Sequence, residues 1–439
     1  MHTSIPIAHN SITQRVICYA YGLVIFLGLL IPRMAQAEDN YFWIWTGQHY
    51  ASDDWSQVSN WHVDGSGTTP ILVFGPDARD HFRNNNDLFG FDVDRVLFTA
   101  SGFEILGNEL RIGNYDNDYL NASAGTSNIM HCPLNIGWTA HGPAPIVVSN
   151  AWLSLTGDMT LYNDVLAKVY GEGELILSGG INCSNAGRIS KLGEGTLTMT
   201  GNATNSAIWL EVRGGTVNLN KSDGVACQNL VFNTYHTDPW PEVHCLADGQ
   251  LPPDVWIDLG GILDLHSHSQ RVSKLEIAFG LLKAGTGTLT FGGSMAYDIE
   301  ARLKANSVIS GNLSLGGSTR TFYVSNDVTE ALTISGSIRN GVVIGNPGII
   351  KEGPGFLALT GTNYYDGTTT VNDGRLILGS GGGLGTTDGG TIVNSNAVLL
   401  LAGPFEVGNE ALTLDSAGTE YLGPCTTPAG LTFGTGLSP

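Results

Sequence analysis

From about residue 91 onward, apolar residues stand two positions apart in short runs bounded by Gly, Asn, Ser or Asp. Phe103-x-Ile105, Leu110-x-Ile112, Leu153-x-Leu155 and Leu175-x-Leu177 set the pattern. A spacing of two puts both side chains on one face of a β-strand, and the bounding residues turn the chain. An eleven-residue version recurs in full three times: Lys191-x-Gly193-x-Gly195-x-Leu197-x-Met199-x-Gly201, then from Lys283 to Gly293 and from Lys351 to Gly361. A fourth copy, Gly171-x-Gly173-x-Leu175-x-Leu177-x-Gly179, lacks the lysine. A segment this short cannot bury its apolar side alone, but a stack of them can. Gly215-Thr-Val217-Asn-Leu219 begins 20 residues after Gly195, and Gly374-Arg-Leu376-Ile-Leu378 begins 19 after Gly355. Recurrence near twenty residues, with two or three short strands each time, predicts one turn of a β-helix. The predicted fold is all-β, a β-solenoid over 91–439.

Two stretches break the pattern. Residues 38–90 carry Trp43, Trp45, Trp55 and Trp61 with Asn84-Asn85-Asn86-Asp87, and read as an N-terminal cap over the open end of the stack. Residues 233–254 hold Pro239, Pro241, Pro252 and Pro253 beside Tyr235, His236, Trp240 and His244. Proline cannot donate to a sheet ladder, so this stretch reads as a loop projecting from one coil and as a candidate binding loop. Only 295–304 has a helix-compatible composition, and its place between strand patterns favours a distorted strand or an irregular excursion.

Composition narrows the function classes. Glycine is 59 of 439 residues, charged residues are 14%, and the formal charge is −20. That charge would repel nucleic-acid phosphates, so nucleic acid is not an expected partner. Residues 1–37 combine Arg15, an apolar run over 16–31 and the small-x-small sequence Ala35-Gln36-Ala37, the pattern of an export signal; an uncleaved anchor is the rival reading. Removing it leaves 18 basic against 40 acidic residues and no later apolar stretch suited to a membrane-spanning helix. Cys132, Cys183, Cys227, Cys245 and Cys425 then remain, an odd number in an oxidising compartment. Cys227 and Cys245 flank the candidate loop and are a candidate disulfide, with buried thiols as the alternative.

The run from Gly348 to Gly379 contains Lys351-Glu-Gly353-Pro-Gly355-Phe-Leu357-Ala-Leu359-Thr-Gly361 and Gly374-Arg-Leu376-Ile-Leu378. It resembles the autotransporter-associated β-strand repeat of bacterial surface and exported passenger proteins. Weaker copies begin at Lys191 and Lys283, and Gly311-Asn-Leu313-Ser-Leu315-Gly316 is similar to segments linking such modules, as is Trp45-Thr46-Gly47 with Asn60-Trp61. The resemblance implies a right-handed parallel β-helix at the cell surface or in the medium; it does not imply a catalytic centre, and no cofactor is expected. Relatives often end in an outer-membrane barrel or a sorting tail. This chain stops at Pro439 with neither, as a fragment or a released product would.

Candidate chemistry is thin. Asp264-Leu-His266-Ser-His268 would place three polar side chains on one face of an extended segment and could hold a metal, although a polar outward strand face explains it as well. Asn114, Asp116 and Asp118 alternate like calcium ligands but lack the glycine and glutamate of the full loop. The expected role is a non-catalytic exported or surface scaffold, in adhesion or a surface layer. Surface glycans or other cell-surface components are the candidate partners, with Trp55, Trp61, His236 and Trp240 as possible contacts. The alternatives are a carbohydrate-binding surface protein and a polysaccharide lyase or hydrolase; the latter would need carboxylates and a base on one side of successive coils.

Overall fold

The computed structural model describes residues 41–48, 52–66, 69–78, 81–113, 119–137, 142–184, 187–203, 205–206, 208–232, 240–251, 256–278, 280–293, 298–301, 307–325, 331–341 and 345–415. The export signal, the Asn114–Asp116–Asp118 loop, His236 and Cys425 lie outside the described residues.

The chain is a parallel β-solenoid whose coils carry strands on up to three faces. One coil places Ala144–Ser149 on the first face, Trp152–Leu155 on the second and Met159–Leu161 on the third. The next repeats the order with Val165–Tyr170, Glu174–Leu177 and Ile181–Cys183. Each strand pairs in parallel with its counterpart one coil on, as Val148 does with Val169, Leu155 with Leu177 and Leu161 with Cys183. Successive rungs are ~4.8 Å apart. First-face rungs run from Ile71–Phe74 to Leu412–Leu414, and second-face rungs from Arg83–Asn86 to Ala397–Leu401.

The two-residue alternation drives this arrangement by stacking like on like. On the second face Ile105, Met130, Leu155, Leu177, Met199, Leu219 and Cys245 follow one another in register, and all are buried. A shift of one residue would expose the whole column, so the register is strongly fixed. Corners are held by buried amides. Asn205 accepts from the Ile181 N–H at 3.1 Å and donates to the Ala226 carbonyl at 2.8 Å. Asn363 does the same between Ile338 and Gly383, at 2.9 and 2.6 Å. Each satisfies backbone groups that turn away from the ladders.

Regular coiling starts earlier than the apolar pattern indicates. Ile71–Phe74, Arg83–Asn86 and Phe91–Val93 already form a coil, pairing with Arg95–Phe98, Glu104–Gly107 and Leu110–Ile112. The asparagine cluster is therefore a strand. Asn84 and Asn86 are buried, and polar inward residues hide a strand from any search for alternating aliphatics. Asn84 accepts from the Trp55 indole at 2.8 Å and Asn86 donates to the Asn108 carbonyl at 3.0 Å. Ahead of this coil, Phe42–Trp45 pairs antiparallel with Trp61–Asp64 and parallel with Ile71–Phe74.

Of the projecting-loop reading of 233–254 only 240–251 lies within the described residues, and there it is narrowed. Glu242–Cys245 is an ordinary second-face rung between Thr216–Lys221 and Ile262–Asp264, with Val243 and Cys245 inward. Pro241 sits just before the strand, where its missing N–H is tolerated. Within 295–304, Ile299–Ala301 is a first-face strand paired with Leu275–Ile277 and Phe322–Val324. Among the described residues no helix is long and apolar enough to cross a membrane.

Candidate functional site

The solenoid buries most of the aromatic and sulfur groups that the sequence offers as contacts. Trp45, Trp55 and Trp61 are buried with Phe74, their rings 5.0 to 6.0 Å apart. Their indole N–H groups donate to the His81 carbonyl, Asn84 Oδ1 and the Trp55 carbonyl respectively. Trp55 and Trp61 are thus interior groups, whereas Trp240 is 40% exposed at the start of its rung. Cys227 and Cys245 are fully buried thiols and not a disulfide; each fills interior space that an aliphatic would otherwise occupy. Burial pushes the Cys227 thiol up to about 12, and raises that of Cys245 with Cys227 and Asp264 adding to the effect. Thiols held protonated in this way are poor nucleophiles.

Asp264, His266 and His268 do not share a face. His266 and Ser267 have φ of 45° and 69°, so the chain turns sharply there instead of continuing extended. The Asp264 carboxylate accepts from the His266 N–H at 2.8 Å and fixes the turn. His266 then packs against His244 of the preceding rung, rings 4.6 Å apart, while His268 lies 3.4 Å from Asp248. His244 in turn meets Glu242 at 3.1 Å. No group of three metal-ligating side chains converges among the described residues.

The repeat lysines have a role that spacing alone does not reveal. Lys191 and Lys351 are fully buried on the inward side of the first face. Lys191 stacks between Ala167 and Val212, and Lys351 between Phe322 and Val371. Lys191 Nζ donates to the carbonyls of Leu192, Gly193 and Gly214 at 3.2, 2.8 and 3.1 Å. Lys351 Nζ reaches those of Glu352, Gly353 and Asp373 at 2.9, 2.6 and 3.1 Å. Each ammonium thereby ties the corner of its own coil to the next, directly before Gly215 and Gly374, which adopt φ of 66°. Burial pulls both lysines down to about 8; Glu194 opposes this at Lys191, as do Asp373 and Glu352 at Lys351. These buried groups organise turns and are closed to a ligand.

An exposed tryptophan, Trp209, stands on the outer side of the first face. Arg188 stands opposite Trp209, Trp209 opposite Asn229, and the register of Leu230 with Ile257 sets Asn229 opposite Trp256, which pairs with Lys274. Trp209 is 42% exposed. Beside it the buried Glu211 carboxylate accepts from Ser190 at 2.6 Å, Arg213 at 2.9 Å and Arg188 at 3.4 Å. Both guanidinium groups remain half-exposed and have more donors than this one carboxylate oxygen uses. Neither Trp209 nor this network is visible from linear spacing, because its members meet across rungs; only a Trp-x-Glu-x-Arg alternation marks the place.

Comparison with known proteins agrees with the geometry. The passenger-associated-transport-repeat model matches residues 189–219, 281–298 and 349–378, and each match includes one of the three repeat lysines. Over 258 residues the chain is 27% identical to the Adhesin BmaC autotransporter of Brucella suis biovar 1 (strain 1330). That similarity covers 54% of this chain and 7% of the adhesin. No solved structure matches. The matched segments are autotransporter-associated repeats, and in this chain they are set into a parallel β-solenoid.

Proposed function

We propose that the chain is part of a surface-exposed β-helix passenger that acts in adhesion and has no catalysis of its own. The observation that carries this reading is the coincidence of the passenger-repeat matches with rungs of one solenoid, in a chain similar over half its length to an autotransporter adhesin. The solenoid's interior is aliphatic, and its buried cations are committed to backbone carbonyls. Contact with a partner therefore falls to the outward columns. Residues 1–37 serve as the export signal in this reading, and the indole cluster of 41–66 covers the first rung. The test is display of the full chain on cells that do not adhere, with adherence counted on host-cell monolayers and abiotic surfaces. Gain of adherence with surface exposure by protease shaving supports the proposal; a surface-exposed chain that confers none overturns it.

A further inference from the structure

Arginines in this chain fall into two groups. Arg83, Arg95, Arg111, Arg188, Arg213 and Arg320 each stand beside a carboxylate. Arg271, Arg339 and Arg375 are exposed and form no ion pair among the described residues, in a chain with 40 acidic residues. Arg375 lies over the Phe356 ring on the second face, 4.6 Å from its centroid. The other two share one outward column of the third face. We infer that this column binds an extended anionic glycan, bearing sulfate or carboxylate groups, laid along the solenoid axis. The inference rests on the adhesion reading and names the ligand class of one surface within it.

Register sets the row. Arg271 pairs with Thr290, Thr290 with Ser314, Ser314 with Arg339, and Arg339 with Tyr364. Val272, Leu289, Leu313 and Ile338 take the inward positions beside them, so the row faces out. At the usual strand spacing Arg271 and Arg339 start three rungs, about 14 Å, apart. The adjoining outward column, Ser269, Thr288, Asn312, Ser337 and Thr362, follows from the same pairings and is uncharged. Across both columns there are two cations and no acid. Carboxylates stand at the two ends of the strip. Asp248 accepts from the Ser269 N–H at 2.7 Å, and Asp366 is engaged by Asn340 and Thr386.

Arg339 is already oriented for an anion. Its guanidinium lies over the exposed Tyr364 ring, 4.5 Å from the centroid, and its Nε donates to Ser337 Oγ at 3.3 Å. The Ser337 hydroxyl in turn donates to Asn312 Oδ1 at 2.7 Å. Stacking fixes the guanidinium plane and leaves the Nη edge, which takes an oxyanion in bidentate fashion. Arg271 makes one long contact, to the Gly292 carbonyl at 3.5 Å, and keeps most of its five donors. The stretch between the two cations selects the ligand. Its hydroxyl and amide groups both donate and accept, which complements a segment that is hydroxyl-rich and uncharged. A polysaccharide charged at intervals has both parts. A nucleic-acid strand carries a phosphate at every nucleotide and would set most of them over neutral groups, in a chain of −20. Remote carboxylates weigh less, because exposed charges more than about 8 Å away are screened at physiological salt.

The test is calorimetric titration of the full chain. Heparin and alginate are the anionic probes, dextran the neutral one, and a DNA duplex the polyanion that is not a glycan. Saturable binding of heparin or alginate, weakening as salt is raised, is expected, with none for dextran. The Arg271→Gln, Arg339→Gln double variant should bind about tenfold or more weakly, and Arg339→Lys should fall between the parent and Arg339→Gln. Arg375→Gln removes an equal charge from another face and should bind like the parent. Unchanged unfolding midpoints establish that these surface variants fold. The inference is overturned if neither anionic glycan binds, if dextran binds as tightly, or if the double variant matches the parent. It is equally overturned if Arg375→Gln loses as much as Arg339→Gln, or if the duplex binds as tightly through the same arginines. A displayed chain that adheres yet binds no anionic glycan sinks this site alone; a displayed chain that confers no adherence sinks the adhesion reading, whatever the titration gives.

Discussion

The copies of the repeat at Lys191 and Lys351 share an eleven-residue pattern with the copy at Lys283, yet the chain uses that third lysine differently. In the first two, the lysine ends a first-face strand, faces inward and plugs a corner with three donated hydrogen bonds. In the third, the pattern lies one face further round the coil. Lys283 sits on the second face between Asp264 and Ser310, half-buried and outward, while Leu282 and Ala284 take the inward positions. The strand then runs on unbroken to Phe291, so that its end pairs with Gln270–Val272 on the third face. The cause is upstream. Lys274–Ile277 already occupies the first-face rung, and a chain resuming at Leu281 can only continue onto the second. A motif of two strands and a glycine turn therefore specifies a corner, and the preceding strand decides which corner.

The sharpest way to break this comparison is to reverse the charge. Lys351→Glu would bury a carboxylate against three carbonyl oxygens that it cannot satisfy, and a loss of about 4 kcal/mol is expected. Lys283→Glu replaces one outward polar group with another and should stay within ~0.5 kcal/mol. Urea unfolding of the two variants checks this, with hydrogen exchange over 349–378 locating the damage. Equal losses would show that the two lysines occupy equivalent environments.

Removing the charge gives a smaller effect. Lys191→Met and Lys351→Met keep the aliphatic stem and strip the donor from three carbonyls, at a cost of about 2–3 kcal/mol each. Lys283→Met should be near neutral. A shift in urea midpoint at unchanged slope is the expected signature.

The glycine that follows separates backbone from side chain. Gly353 and Gly285 both have positive φ, at 77° and 59°. An added Cβ at Gly353 would come within 2.6 Å of the Val324 carbonyl oxygen, a backbone atom, whereas at Gly285 the nearest atom is the mobile Ser267 hydroxyl. Gly353→Ala is expected to cost about 2 kcal/mol and Gly285→Ala about 1. Thermal unfolding of the pair measures the difference, and the reverse order would contradict the assigned corners.

These contrasts show what was legible in the sequence. Period-two alternation and the near-twenty-residue recurrence revealed the stack, because leucine, isoleucine and valine ladders announce themselves. Register across rungs did not, because it depends on turn lengths that vary between coils. Asn84 and Asn86 concealed the first coil by facing inward as polar groups. Pro241 concealed the Glu242–Cys245 rung, since a proline at a strand's edge looks like one in a loop. Trp55 and Trp61 are candidate ligand contacts by composition, but with Trp45 they are concentrated near the N-terminus because they are buried together. Trp209 stood alone in sequence, and only stacking brings it into line with Asn229 and Trp256.

The last contrast is one of pH. Burial lowers the native pKa of Lys351 from its ordinary 10.5 to about 8. Between these values the unfolded chain binds more protons than the native one, so stability must rise as pH increases through that window. Below pH 8 both states hold the proton, and the native state bears the full cost of a buried ammonium. From pH 7 to pH 9 the gain is about 1 kcal/mol for one lysine. Other groups also titrate there, so the measurement is the difference between the parent and Lys351→Met at each pH. The margin by which the parent exceeds the variant should widen by that amount on going to pH 9. A margin that stays constant would mean that the three carbonyls hold the ammonium charged throughout, and that hydrogen bonding outweighs desolvation at this corner.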